Sequence, residues 1–206
     1  MTTSAGLVAA LSGSTPQVIA LADGVYDLPG GQHFVDANGS AIYAQHVGAA
    51  VLTAGLEVGG NWSQGGAVVR GLSFDITDPS KTFQNAALDV WGAAGQNLQV
   101  LDSTFDGNWV VGAGIQAYQP LGLDAERLQI SHFTDAGLFV SDNVPVAYGA
   151  STPAATVISD ISVDGVSRPT PGSSNGTAEA GLWIGQPVID GVHRIKVRNV
   201  SISGIE

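Results

Sequence analysis

Two carboxylates that recur at a fixed spacing are the first residues of this chain that could do chemistry. Asp75 and Asp106 each follow a phenylalanine and lie 31 residues apart. Stacked strands would bring them to about 4.8 Å from each other. At that distance both cannot ionise freely, so one keeps a proton, or a cation such as Ca²⁺ lies between them. Such pairs serve as acid and as nucleophile or base in sugar hydrolysis. The alternative is that both aspartates are ordinary turn residues.

His132 and Asp135 are the other two candidate catalytic residues. They fall in a unit that carries no insertion, whereas the units on either side of it do. A short unit between looped units would form the floor of a cleft, and loops at one edge of a rigid scaffold often carry function. The alternative for His132 is a place at a bend, where its side chain bonds to the backbone. The other three histidines share no metal-ligand spacing, so calcium is the only ion that the sequence indicates.

A column of aromatic and polar residues indicates a binding surface. Four short segments alternate apolar and polar residues with period two, which predicts strands with one face outward. Sugar rings stack on aromatic faces and hydrogen-bond to polar groups between them. The alternatives are that neighbouring loops bury these side chains, or that they form a protein interface. The outward residues predicted to bind substrate are Asp89, Trp91, Gln116, Tyr118, Phe139 and Trp183.

The elements that must position these residues recur along the chain at intervals of 28 to 39 residues. A period of this size predicts an all-β solenoid of short parallel strands, whose core is completed only by stacking. Five gapless segments start at Val69, Val100, Ile130, Ile158 and Val197. Their bend positions are Gly71, Asp102, His132, Asp160 and Asn199. The second strands are aligned on the inward-facing Leu88, Ile115, Leu138 and Leu182.

The N-terminal residues fit an end cap. Ala5 to Leu11 can form a short helix that stops at Gly13. The apolar residues of this helix, Leu7, Val8 and Leu11, would cover the open end of the core.

A strand that ends in Ala22-Asp23-Gly24-Val25-Tyr26 follows the helix, and rungs such as Val68 to Phe74 come after it. This order resembles the opening of many pectin lyase-like proteins, and the resemblance covers nearly the whole chain. It implies a right-handed parallel β-helix with a short N-terminal capping helix. It does not select an activity, because that superfamily includes lyases, hydrolases, epimerases, phage tailspikes and non-catalytic adhesins.

We expect residues 1–206 to form a single domain, with a cap and first strand in residues 1–30 and recognisable rungs in residues 66–206. The last rung ends at Glu206 before its second strand could form. The expectation is therefore that this end is open or truncated, and that it promotes self-association, because uncovered apolar surface and unpaired strand groups attract partners.

Composition limits the partners and the compartment. A formal net charge of −11 argues against nucleic acid, whose phosphates would be repelled. The chain contains no run of 18 apolar residues, so its sequence predicts no membrane span. The absence of cysteine fits bacterial secretion and also fits the cytoplasm. We expect a secreted or cell-surface protein, although no signal peptide starts this chain.

The leading hypothesis for function is a polysaccharide-processing protein, a lyase or glycoside hydrolase that acts in a cleft on the side of the solenoid. The aromatic column and the carboxylate pair support it. A non-catalytic carbohydrate-binding or surface-structural β-helix is the alternative, because no catalytic motif of the superfamily is complete. A third hypothesis is a scaffold without native activity.

Overall fold

The computed structural model describes residues 1–13, 15–35, 39–59, 66–91, 98–118, 122–141, 156–166, 180–185 and 195–205, with only the backbone for Val35 and Trp91. These residues form an all-β structure with one α-helix. The helix is α1 (Ser4–Leu11), and a 3-10 turn spans Pro79–Lys81. The strands are β1 (Val18–Leu21), β2 (Gly24–Tyr26), β3 (Gln32–Val35), β4 (Ala41–Ala44), β5 (Ala50–Leu52), β6 (Leu56–Gly59), β7 (Val68–Arg70), β8 (Leu72–Asp75), β9 (Ala86–Trp91), β10 (Gln99–Leu101), β11 (Thr104–Asp106), β12 (Ala113–Tyr118), β13 (Asp124–Phe133), β14 (Ala136–Ser141), β15 (Thr156–Val166), β16 (Ala180–Gly185) and β17 (Ile195–Ile205).

The strands of the described residues form two sheets, and neighbouring strands in both sheets are parallel. The smaller sheet follows chain order: β3, β6, β9, β12, β14 and β16. The larger sheet has two halves. One half contains β1, β4, β7 and β10, the other contains β2, β5, β8 and β11, and the long strands β13, β15 and β17 run through both.

The inward side chains of both sheets and of α1 belong to one hydrophobic cluster. In α1, Leu7 and Leu11 are buried and Val8 packs against the cluster, which confirms the predicted helix and its apolar face. The Thr3 side chain accepts a hydrogen bond from the Gly6 N–H and so caps the first turn. The helix packs against β2 and β3, the terminal strands of their sheets. No helix in the described ranges is long and apolar enough to cross a membrane.

The predicted start of the third rung is wrong by five residues. Ala125, rather than Ile130, pairs with Val100 on one side and Ile158 on the other. Ile130 lies further along the same strand, beside Phe105 and Val163. The two residues are both buried, but an alanine is a weak apolar signal. The actual column contains Ile19, Ile42, Val69, Val100, Ala125, Ile158 and Val197.

The predicted column of the smaller sheet is confirmed. Leu88, Ile115, Leu138 and Leu182 pair in sequence, and the column continues back to Leu56 of β6. Rungs therefore also exist before residue 66, where none was predicted. They escape a gapless alignment because the bend is longer there: Ile42 and Ala50 are eight residues apart, whereas their partners Val69 and Leu72 are three apart.

Each bend in the larger sheet uses one residue with a left-handed backbone, and the bend of the third rung was predicted wrongly. Arg127, at φ 55°, takes the place beside Asp160 that was predicted for His132, and His132 itself has a left-handed backbone, at φ 58°, further along the same strand. The Arg127 Nε lies 2.5 Å from Asp102 Oδ1, and its guanidinium also donates to Glu126. These two interactions offset the cost of a left-handed backbone, which is about 1–2 kcal/mol. The Arg127 bond, with help from Arg70, holds the pKa of Asp102 below its ordinary value. The other bend residues are Gly71, Asp102, Asp160 and Asn199, as predicted.

Candidate functional site

A recess on the outer face of the smaller sheet begins with small side chains. Ala86, Ala113 and Ala136 are the first residues of β9, β12 and β14, and they pair with one another in register. All three are buried in a cluster of their own, and Phe139 packs against it. Because alanine has only a methyl group, the larger side chains around this column enclose a hollow.

The turns that lead into these strands place two polar side chains at the edge of the hollow. Asn85 precedes Ala86, and Asp135 precedes Ala136, so the two turns are stacked. Gly112 lies between them, and a Cβ at that position would overlap both the Asn85 amide and the Asp135 carboxylate. The Asp135 N–H donates to the Gly112 carbonyl at 2.8 Å, which fixes the turn. Glycine therefore lets both side chains lie against residue 112.

Aromatic rings form the wall of the recess. Tyr118 and Phe139 lie on neighbouring strands with ring centroids 5.5 Å apart and planes at 61°. Phe139 and Trp183 follow at 5.2 Å and 79°. The rings meet edge to face, as aromatic pairs prefer, so the aromatic column does not present one flat surface. The pocket has a volume of about 120 Å³ and is lined by Gln84, Asn85, Ala113, Gln116, Tyr118, Asp135, Ala136, Phe139 and Trp183.

Two of the predicted substrate-binding residues, Asp89 and Trp91, are not among the described residues that line the pocket. Asp89 lies in register with Gln116 on the outer face, but its exposed fraction is 0%, so it lies beneath the surface and not on it. Burial raises the pKa of the Tyr118 hydroxyl, and the charge of Asp89 adds to the rise, while a hydrogen bond with Gln116 opposes it. The Trp91 backbone pairs with Tyr118 as predicted, but the Trp91 side chain lies outside the described residues.

The predicted carboxylate pair lies at a second place, on the larger sheet. Asp75 and Asp106 pair in register, as the spacing predicted. Asn108 bridges them: its Nδ2 donates to Asp75 Oδ1 at 2.7 Å and its backbone N–H donates to Asp106 Oδ1 at 2.9 Å. Each carboxylate thus accepts a hydrogen bond from Asn108, as aspartates in turns commonly do from nearby residues. Among the described residues, no group of three acidic, histidine or cysteine side chains could hold a metal ion.

His132 joins this second place through Asp106. The His132 Nδ1 lies 3.1 Å from each Asp106 carboxylate oxygen, and the side chains are 42% and 38% exposed. The Trp109 ring packs against the imidazole at 5.1 Å. A carboxylate that orients a histidine in this way leaves the other ring nitrogen able to accept a proton. We call Asp106 and His132 the dyad.

The structure thus divides the predicted catalytic residues between two places. Asp75, Asp106 and His132 lie together, whereas Asp135 lies with the aromatic residues in the pocket. Sequence reasoning missed the residues Gln84, Asn85, Asn108 and Trp109, which all have a positive φ. The signal that could have found them is an asparagine in a short connection, since asparagine tolerates left-handed backbone and bonds to nearby groups.

No protein family model matches this chain, and no curated protein matches it in sequence.

Proposed function

We propose that this chain binds a polysaccharide in the pocket between Asp135 and Trp183. The observation that carries the proposal is the convergence of three aromatic rings, three side-chain amides and one carboxylate on a floor of alanines. Sugar units present an apolar face and a rim of hydroxyl groups. Aromatic rings suit the former, and amide and carboxylate groups suit the latter.

We also propose the architecture that the sequence resembles: a right-handed parallel β-helix of the pectin lyase-like kind. The parallel registers support it, since strands of successive rungs pair throughout the described parts of both sheets. In that architecture the pocket lies on one side of the solenoid, and a polysaccharide would extend across neighbouring rungs.

The test is a binding measurement on Trp183→Ala. Isothermal titration calorimetry or affinity electrophoresis across a panel of polysaccharides would first identify a ligand. Trp183→Ala should then weaken its binding by about 1 kcal/mol, the value of one aromatic contact. Trp109→Ala is the matched control, because Trp109 packs on His132 outside the pocket. Equal loss in both variants, or binding by neither variant nor the wild type, would reject the proposal.

A second candidate is that the protein also cleaves the polysaccharide, as a lyase or hydrolase. The dyad favours it, because His132 held by Asp106 is arranged as a general base would be. Asp135, which lines the pocket, is the carboxyl group available there. Released reducing ends and the absorbance of unsaturated products would detect the two reactions. Asp106→Asn should then lower turnover by about 100-fold, while binding without any product would leave the non-catalytic function.

The remaining proposals concern partners and location. β17 exposes residues that continue buried inward columns: Val197, Ile202 and Ile205 are 45%, 46% and 41% exposed. We propose that a second copy of the chain covers this face of β17.

We also propose that the protein is secreted or lies on the cell surface, where polysaccharides are found.

A further inference from the structure

We infer that the pocket selects uncharged sugar units and rejects uronates, an inference that rests on the proposed function and names its substrate class. Asp135 is the acceptor that would bond the sugar hydroxyls and, by its charge, exclude a sugar carboxylate.

The charges of the lining residues carry the first step. Of the nine described residues that line the pocket, Asp135 alone is ionisable near neutral pH, and none of these nine carries a positive charge. Recognition of a carboxylate normally uses arginine or lysine. A uronate in this pocket would lose water without gaining an ion pair, and it would lie near a like charge.

The overall charge of the chain acts in the same direction. The formal net charge of −11 opposes the approach of an anionic ligand.

The uncharged groups of the pocket suit hydroxyl groups. The amides of Gln84, Asn85 and Gln116 each offer both donors and an acceptor. The Asp135 carboxylate only accepts, so it requires donors from the ligand. Sugar hydroxyls donate and accept, whereas a uronate carboxylate only accepts. The donors and acceptors of the pocket thus match a neutral sugar chain. If a uronate carboxylate faced Asp135 in place of a hydroxyl group, it would donate no hydrogen bond to Asp135.

The experiment compares neutral hexasaccharides with acidic ones on the same protein. Cellohexaose, mannohexaose, xylohexaose and laminarihexaose represent the neutral class, and hexagalacturonate and hexamannuronate represent the uronates. At low salt the wild type should bind at least one neutral oligosaccharide at least tenfold more tightly than either uronate. Asp135→Asn should narrow that ratio about tenfold, because it removes one like charge at contact distance. Asp160→Asn is the control: it removes one exposed charge at a bend of the larger sheet and should leave the ratio unchanged.

The outcomes separate the inference from the proposed function. Tighter binding of a uronate that is lost in Trp183→Ala would overturn the selectivity and leave the pocket as the binding site. A ratio that Asp135→Asn does not change would overturn the role of Asp135. If no hexasaccharide binds, the proposed function fails and this inference fails with it.

Discussion

Asn85 and Asp135 lie two strands apart in the smaller sheet, and both side chains lie against residue 112, where a Cβ would overlap them. The two turns precede strands that are in register through β12. Both side chains can occupy these positions against residue 112 because it is glycine. The edge of the candidate pocket therefore depends on a residue that has no side chain of its own.

Gly112→Ala should displace Asn85 and Asp135 and so change the edge of the pocket. We expect about tenfold weaker polysaccharide binding, with a loss of stability near 1 kcal/mol, because two flexible polar ends must move. Gly30→Ala is the matched control, since a Cβ at Gly30 meets no atom within 4 Å. Calorimetry and urea unfolding would measure both quantities. Unchanged binding in a folded Gly112→Ala variant would contradict the assignment of the pocket edge.

Ala125→Asp tests the register of the third rung. Ala125 is buried between Val100 and Ile158, so the variant places an unpaired charge in the core at a cost of several kcal/mol, of the order of the stability of a whole domain. Gln129→Asp, on the same strand but exposed, should unfold at nearly the wild-type urea concentration. An Ala125→Asp protein that melts like the wild type would show that this residue does not face the core.

Ile130→Asp should also unfold the protein, because Ile130 is buried in the neighbouring column between Phe105 and Val163. It does not distinguish the two alignments, since both place Ile130 inward. Only the Ala125 variant does so.

Asp124 should make the protein less stable as the pH rises. Burial raises the pKa of Asp124, the neighbouring Glu126 adds to the rise, and Arg127 and Arg198 oppose it. Its Oδ1 is buried with no hydrogen-bond partner in the described part of the chain. A raised pKa means that the folded state holds this proton more tightly than the unfolded state. Stability is therefore lost as the pH rises from about 4, the unfolded value, through the folded value.

Asp124→Asn should remove that loss and raise stability at pH 7, measured by urea unfolding with tryptophan fluorescence at pH 4 and pH 7. The control is Asp160→Asn, which changes an exposed aspartate of the neighbouring strand. Its free energy of unfolding should differ between pH 4 and pH 7 by the same amount as that of the wild type. A less stable Asp124→Asn protein at pH 7 would mean that the carboxylate stabilises the fold there.

Self-association through β17 should depend on concentration and salt. Lys196 and Arg198 lie on the outward face of this strand and would repel their counterparts in a second copy. Salt screens that repulsion, so light scattering should give a mass that grows with both protein and salt concentration. Ile202→Glu should lower the association, whereas Ser201→Glu, its neighbour on the opposite face, should have less effect. A wild-type protein that stays monomeric at high concentration and high salt would refute the proposal.

The sequence by itself determined which residues face inward in the smaller sheet and which aspartates are neighbours. Leu88, Ile115 and Leu138 occupy equivalent places in recurring strand segments, and Asp75 and Asp106 follow large buried phenylalanines. Such local patterns have one good solution, because a shift by one residue would turn these leucines and the isoleucine outward.

Only the tertiary structure decided the third rung and the composition of the pocket. The position of Ala125 depends on what the adjacent strands leave room for, and the spacing of Ile130 and Phe133 resembles that of a true rung start. Asn85, Gly112 and Asp135 are far apart in sequence, and their approach results from the stacking of turns that have no shared motif. Periodicity specifies a face of a strand, whereas a site requires the distances between strands, and those are set by packing throughout the core.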